Sequence, residues 1–210
     1  MKVLKSVWFK CVACLLIIAV ISGALLAGLN DLLFVTPEIR TARAIKKIYG
    51  KEMEYSVVLD IDSKDENTPK TAVEKGDGKI NKVYSVFTDN GQETLVQATG
   101  YNGYKNGTVT VWVKGSINYI ELENGDGKQE FVIQKVLLES SDKQTLMSKL
   151  TATFYDNFIL TDVTDTYKMG SLFSATDENL NFNPVTGATK SATAAVNAVN
   201  SVLLYFNIGD

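Results

Sequence analysis

Thr186, Gly187, Ala188 and Thr189 are the residues best suited to chemistry, because the string that holds them, residues 184–191, runs straight into a C-terminal helix. Beyond Lys190, apolar residues fall at Ala192, Ala195, Val196, Val199, Val202, Leu203 and Phe206, the spacing of one buried helix face. Thr189 then stands where a helix begins, beside unpaired backbone N–H groups and the positive end of the helix dipole. Such an end suits a phosphate. Gly187 and Ala188 leave little side-chain bulk around the approach, and Lys190 adds a positive charge. A hydroxyl presented this way can hold a phosphate by hydrogen bonding or can itself be esterified to one. The same residues also make an ordinary helix start, since Ser and Thr are preferred caps and Gly is common in turns.

Few other residues compete for a chemical role. The chain has no histidine and only two cysteines, Cys11 and Cys14. A C-x-x-C pair can bind metal or do dithiol chemistry, but zinc needs two further ligands and nothing nearby supplies them. The pair reads instead as small apolar filler of a hydrophobic helix. Without His or further Cys, the rest of the chain cannot ligate an iron–sulfur cluster through Cys, bind haem through His or Cys, or build a Ser-His-Asp or Cys-His arrangement. Redox chemistry here requires an organic cofactor. The segment from Asp60 to Asp65 faintly resembles a calcium loop but has Asp65 where glycine is required. A net charge of −3 gives no basic footprint for nucleic acid. Asn106-Gly107-Thr108 matches a glycosylation sequon and equally a turn feeding a strand.

The elements that position these residues begin with a hydrophobic segment. Lys2, Lys5 and Lys10 precede an uncharged run over residues 11–30. About twenty helical residues span about 30 Å, the thickness of a bilayer's hydrocarbon core. The run predicts a single transmembrane anchor after a short cytoplasmic tail (1–10). A cleaved signal peptide, processed near Ala24–Ala27, is the alternative. The basic residues before the span favour an N-terminus inside and a C-terminal domain outside the cytoplasm. Thr36-Pro37-Glu38 opens a helix through Ile39, Ala42, Ile45 and Ile48, closed by Gly50. That helix forms a juxtamembrane stem over residues 31–51.

A single domain over residues 52–210 follows. Strands are expected over 53–61, 80–88, 94–99, 108–114, 117–121 and 130–138, with hairpin turns at Asp89-Asn90-Gly91 and at residues 124–127. Residues 62–79 read as an exposed polar insertion. Ser141 to Gln144 reads as a capping box, opening a helix whose Leu146, Met147, Leu150, Phe154 and Phe158 face the core. The expected class is α+β: an antiparallel sheet with packed helices after one N-terminal transmembrane helix.

Thr186-Gly187-Ala188-Thr189 resembles the S/T-G-A-T flavinylation motif of the FMN-binding domain family. That family includes the G subunit of the Rnf electron-transport complex and the C subunit of the sodium-pumping NADH:quinone oxidoreductase. Gly100-Tyr101-Asn102-Gly103 is similar to a G-Y-x-G stretch that the Rnf G subunits carry before a strand. Glu139 falls where those subunits have an E-T-P-G-L-G segment, although here Ser140, Ser141 and Asp142 follow it, and Asn183 stands where the family has aspartate. The layout, one N-terminal span before the flavin domain, is also the family's. The resemblance implies FMN carried on Thr189 through a phosphoester bond, with Thr186, Gly187 and Ala188 around it. Thr186 would serve recognition by a flavin transferase, and Ser191 would cap the helix. It further implies an electron-relay subunit among other membrane subunits of an Rnf-like complex rather than a self-contained enzyme. Two other readings stay open: a stand-alone flavinylated extracytoplasmic carrier, and a non-redox anchored surface or assembly module.

Overall fold

In a computed structural model the described residues are 7–33, 36–121, 127–159, 172–174 and 188–206. The fold is α+β, with one antiparallel six-stranded sheet and helices. Two compact units divide between Thr41 and Ala42.

The first unit holds α1 (Val7–Leu33) and the start of α2 (Pro37–Tyr49). Helix α1 runs for 27 residues and covers the expected anchor. Its aliphatic side chains, among them Leu15, Leu16, Ile17, Ile18, Leu25 and Leu26, are exposed, as are Cys11 and Cys14. Among the described residues no helix is long and apolar enough to cross a membrane. Helix α2 starts as its sequence demands: Thr36 Oγ1 accepts from Ile39 N–H at 3.3 Å, and Pro37 occupies the first helical position. Gly50, at φ 78°, ends it.

The second unit begins at Ala42, so the expected stem contributes to the core of the domain. Ala44, Ile45 and Ile48 of α2 pack with Tyr84, Val86, Leu95 and Trp112 in one buried cluster. Of the stripe expected on this helix, Ile39 is exposed, and Ala44 takes the buried place given to Ala42.

The sheet comprises β1 (Tyr55–Asp60), β2 (Val73–Lys75), β3 (Gly78–Thr88), β4 (Gly91–Gly100), β5 (Val109–Glu121) and β6 (Gly127–Ser141). Strands β3 to β6 form a meander, and β1 and β2 both pair along the free side of β3. The Asp89-Asn90 turn forms, with Gly91 at φ 118° and Thr88 Oγ1 donating to Gly91 C=O at 2.7 Å. The expected turn at residues 124–126 lies outside the described residues.

Three expectations change. The two strands placed at 108–114 and 117–121 are the single strand β5, because Gly115 takes up a register shift rather than a turn. The polar insertion contains β2, which pairs with β3 across Gly76-Asp77. Among the described residues 142–159 no continuous helix opens at Ser141: the chain makes a 3-10 turn at Met147–Lys149 and a five-residue helix, α3 (Ala152–Asp156). Lys143 at φ 56° breaks the helical path where the capping box was expected. Leu150, Phe154 and Phe158 still reach the core, with Met147 partly buried against it, while Leu146 is exposed.

The C-terminal helix α4 (Thr189–Tyr205) forms as its spacing requires. Ala192, Ala195, Val196, Val199, Val202 and Leu203 join Val96, Ala98, Val111, Val113, Phe131 and Ile133 of the sheet in the larger core cluster. Helices α2 and α4 therefore cover different sets of sheet residues. Asn200 fastens residue 173 to α4, accepting from Phe173 N–H and donating to its C=O, each at 2.9 Å.

Candidate functional site

Thr189 is the first residue of α4 and is exposed, as is Lys190, while Ala188 behind them is buried. The Ala188 carbonyl accepts from Ala192 N–H at 2.9 Å, opening the helical ladder. Ala188, at φ −116° and ψ 15°, occupies the cap position, and no side-chain capping bond is made there. Ser191, expected to cap the helix, is instead its third residue and donates its Oγ proton to Gln144 Oε1 at 2.7 Å. Thr186, Gly187 and Asn183 lie outside the described residues, so of the tetrapeptide only Ala188 and Thr189 are placed.

A cavity of about 630 Å³ opens beside this helix start, lined by Asn102, Gly103, Tyr104, Lys105, Asn106 and Lys190. It is an open depression of the surface rather than an enclosed pocket. Two ammonium groups, on Lys105 and Lys190, and the half-exposed Tyr104 ring give it the means to hold an anion joined to a flat ring system. Lys105 Nζ sits 5.4 Å from the centre of the Tyr104 ring.

Local sequence explains why a loop stands there. Strand β4 ends at Gly100, whose Cα lies against α4: a Cβ would come within 2.0 Å of Ala194 C=O and 2.4 Å of Ala198 N. Only glycine permits that approach. Tyr101 follows, its N–H donating to Asp77 C=O and its C=O accepting from Asn197 Nδ2 of α4 at 3.1 Å. Its hydroxyl is shared between both Glu74 carboxylate oxygens at 3.0 Å, and burial followed by that carboxylate pushes the phenol up to about 12.

From Asn102 the chain turns in left-handed steps, with φ 64° at Asn102, 51° at Lys105 and 56° at Asn106. The fourth non-glycine residue of positive φ among the described residues is Lys143, next to Gln144. Such residues each cost of order 1 kcal/mol and persist where surrounding contacts hold them. Within the loop, Gly103 N–H donates to Gly107 C=O at 3.0 Å and Gly107 N–H to Tyr104 C=O at 2.9 Å; the contacts from outside it come from Gln144. Its Oε1 accepts from Tyr104 N–H at 3.0 Å, and its Nε2 donates to Tyr104 C=O at 3.3 Å and Asp142 C=O at 3.0 Å. Gly103 and Gly107 leave room for that amide: a Cβ at either would stand 2.5 Å from its nitrogen.

Two sequence expectations meet here, and one does not. Gly100–Gly103 and the start of α4 come together, although some ninety residues of chain separate them. Glu139 does not join them. It accepts from Trp112 Nε1 at 3.0 Å, and Trp112 belongs to the cluster packed by α2. Gln144 and Lys105 were missed, since a Gln after Ser-Asp-Lys reads as local capping and a loop lysine as a solvated charge. No family model matches the chain, and no curated protein or solved structure matches it.

Proposed function

We propose that this chain is a membrane-anchored extracytoplasmic flavoprotein, with FMN esterified to Thr189, that relays electrons as a subunit of an Rnf-like complex. The observation that carries the reading is the exposed Thr189 hydroxyl-bearing residue at the first position of α4, beside a cavity walled by Lys190 and the 102–106 loop. The resemblance of Thr186–Thr189 to the flavinylation motif names the group.

The residues present fit such a group. The N–H groups of the first turn of α4, with Lys190 and Lys105, would balance the charge of a phosphodiester, and the Tyr104 side would take the ring. Attachment forms a bond from Thr189 Oγ to phosphorus and breaks the phosphoanhydride of a flavin dinucleotide, with the second nucleotide leaving as its monophosphate and the hydroxyl proton passing to solvent. No electron moves in that step. FMN, when bound, would supply one- and two-electron transfer to a domain that has no cysteine or histidine of its own. The protein's part is to hold it, orient it and keep it from diffusing away.

The anchor belongs to the same proposal. The uncharged run over residues 11–30 lies within α1, and its described side chains are turned outward. The anchor is proposed from the sequence, where an uncharged run of about twenty residues matches the thickness of the hydrocarbon core, although among the described residues no helix is long and apolar enough to cross a membrane.

The test is coexpression of the full chain with an export route and a flavin transferase. A phosphoester survives denaturation, so the band should fluoresce on a denaturing gel. Thr189→Val, close in shape but without the hydroxyl, should abolish the fluorescence and leave the fold intact. Flavin mapped to another residue, or a fluorescent Thr189→Val band, would refute the assignment. Membranes lacking the protein should lose ferredoxin- or NADH-linked electron flow. Unchanged flow with flavin present on Thr189 would favour the stand-alone carrier.

A further inference from the structure

Gln144 occupies a position that none of the flavin chemistry above requires, yet it joins the two walls of the proposed site. One oxygen, Oε1, accepts from Tyr104 N–H of the loop at 3.0 Å and from Ser191 Oγ of α4 at 2.7 Å. The nitrogen of the same amide donates to Tyr104 C=O and Asp142 C=O. Ser191 is buried and stands two residues after Thr189, so its hydroxyl fixes the turn of helix that presents the threonine. Tyr104 and Lys105 line the same cavity as Lys190. One side-chain amide thereby sets the spacing between the residue that would receive flavin and the residues that would face it.

We propose that Gln144 is a positioning residue for the flavin on Thr189, a latch that holds the Asn102–Asn106 loop at a set distance from the first turn of α4. This inference rests on the FMN reading and adds to it a residue that touches neither the acceptor hydroxyl nor the flavin phosphorus. The loop closes on itself, Gly103 N–H donating to Gly107 C=O and Gly107 N–H to Tyr104 C=O, but those bonds do not tie it to α4, and Lys105 is held left-handed against its own preference. Removing the amide leaves Tyr104 N–H and Ser191 Oγ without the acceptor they share, and both the loop and the helix start gain freedom. A displacement of about 1 Å at a reacting group costs up to about a hundredfold in rate. A latch remote from the reacting atoms acts more weakly, and about tenfold is expected, the ratio set by the net worth of about one hydrogen bond.

The experiment follows covalent flavin on the full chain by intact mass during coincubation with a transferase and flavin dinucleotide. It then records the visible circular dichroism of the attached flavin, which reports the ring's surroundings. Four chains are compared: wild type, Gln144→Ala, Ser191→Ala and the double variant. The latch requires attachment to slow about tenfold in Gln144→Ala, with altered flavin dichroism and an unfolding midpoint close to wild type. It also requires Ser191→Ala to shift both readouts in the same direction and the double variant to be no worse than Gln144→Ala, since both residues act through one bond. Wild-type modification with unchanged rate and dichroism in Gln144→Ala overturns the latch and leaves the FMN reading standing. A wild type that is never modified overturns both. If Gln144→Ala fails to fold, Ser191→Ala decides alone, because it leaves the loop's own bonds to Gln144 in place: a wild-type rate and spectrum overturn the latch.

Discussion

Lys82 places its ammonium inside the protein, with a side chain only 6 % exposed, and two carboxylates meet it: Asp60 at 3.0 Å and Asp62 at 2.8 Å. Tyr84 donates its hydroxyl to Asp60 as well, and Asp62 N–H donates to Asp60 Oδ1. Removing the cation leaves Asp60 buried without its counter-charge, the costly half of breaking an internal ion pair. Lys82→Met should lower stability by about 3 kcal/mol in urea unfolding, and adding Asp60→Leu should restore part of the loss. Tyr155 presents the opposite case, a buried hydroxyl with no hydrogen-bond partner among the described residues. Tyr155→Phe should be neutral or stabilising by about 1 kcal/mol. The pH dependence follows. Burial raises the phenol of Tyr155, burial and then Glu93 raise that of Tyr49, and Tyr101 is pushed up to about 12. Each phenol keeps its proton in the folded state after the unfolded chain has lost it. Their stabilisation is complete below the unfolded value near 10 and disappears as pH climbs from there through the raised values. Unfolding titrated with urea between pH 8 and 12 should show a plateau and then a decline, shallower in Tyr155→Phe. At this scale the place of Thr189 at a helix start was legible, because the apolar spacing after Lys190 marks the helix that follows. Gln144 was not, because three of its four hydrogen bonds reach Tyr104 and Ser191, far away in the chain.

Helix α4 depends on small residues to lie close to the sheet. Ala194, Ala195 and Ala198 are fully buried, and Gly100 of β4 meets the backbone at Ala194 and Ala198 directly. A methyl group added at Gly100 has no flexible neighbour to push aside, only the helix backbone 2.0 Å away. Gly100→Ala should therefore destabilise the domain by about 3 kcal/mol, at the upper end for overpacking, and should displace the start of α4 and so slow flavin attachment. Gly91→Ala is the useful comparison: space is open there, and the strain comes only from φ 118°. Elements whose signal is periodic were readable in advance. The apolar stripe of α4, the capped start of α2 and the alternation in β5 all describe one face meeting a core. Elements defined by pairing were not readable. Strand β2 has a single apolar residue, Val73, and exists because β3 extends far enough to pair with it and because Lys75 C=O accepts from Ser201 Oγ at 2.8 Å. The helix expected after Ser141 is broken at Lys143, φ 56°, and Gln144 bonds Tyr104 and Ser191 instead of capping it.

At the scale of the whole chain, the division between Thr41 and Ala42 separates two kinds of chemistry. The residues before it are largely one helix with outward-facing aliphatic side chains, and those after it build both buried clusters. The proposed anchor predicts that these parts can be parted without loss of the fold. A chain shortened to begin at Thr36 keeps the cap on Ile39 N–H and all of α2. It also leaves Trp112 as its only tryptophan, since Trp8 is removed. Trp112 is 2 % exposed and bonded to Glu139, so its emission should be blue-shifted in the folded state and should shift red in the unfolding transition. The full chain should sediment with membranes, resist high salt and come free only in detergent. The shortened chain should remain in the supernatant and unfold at the full chain's midpoint when followed through Trp112. A shortened chain that still sediments would place the membrane attachment elsewhere and remove the anchor from the proposal. Supernatant with a lowered midpoint would mean instead that residues before Thr36 stabilise the domain. Release of the full chain cut near Ala27 would identify α1 as a processed signal, and the flavin proposed for Thr189 would then belong to a carrier free to leave the membrane.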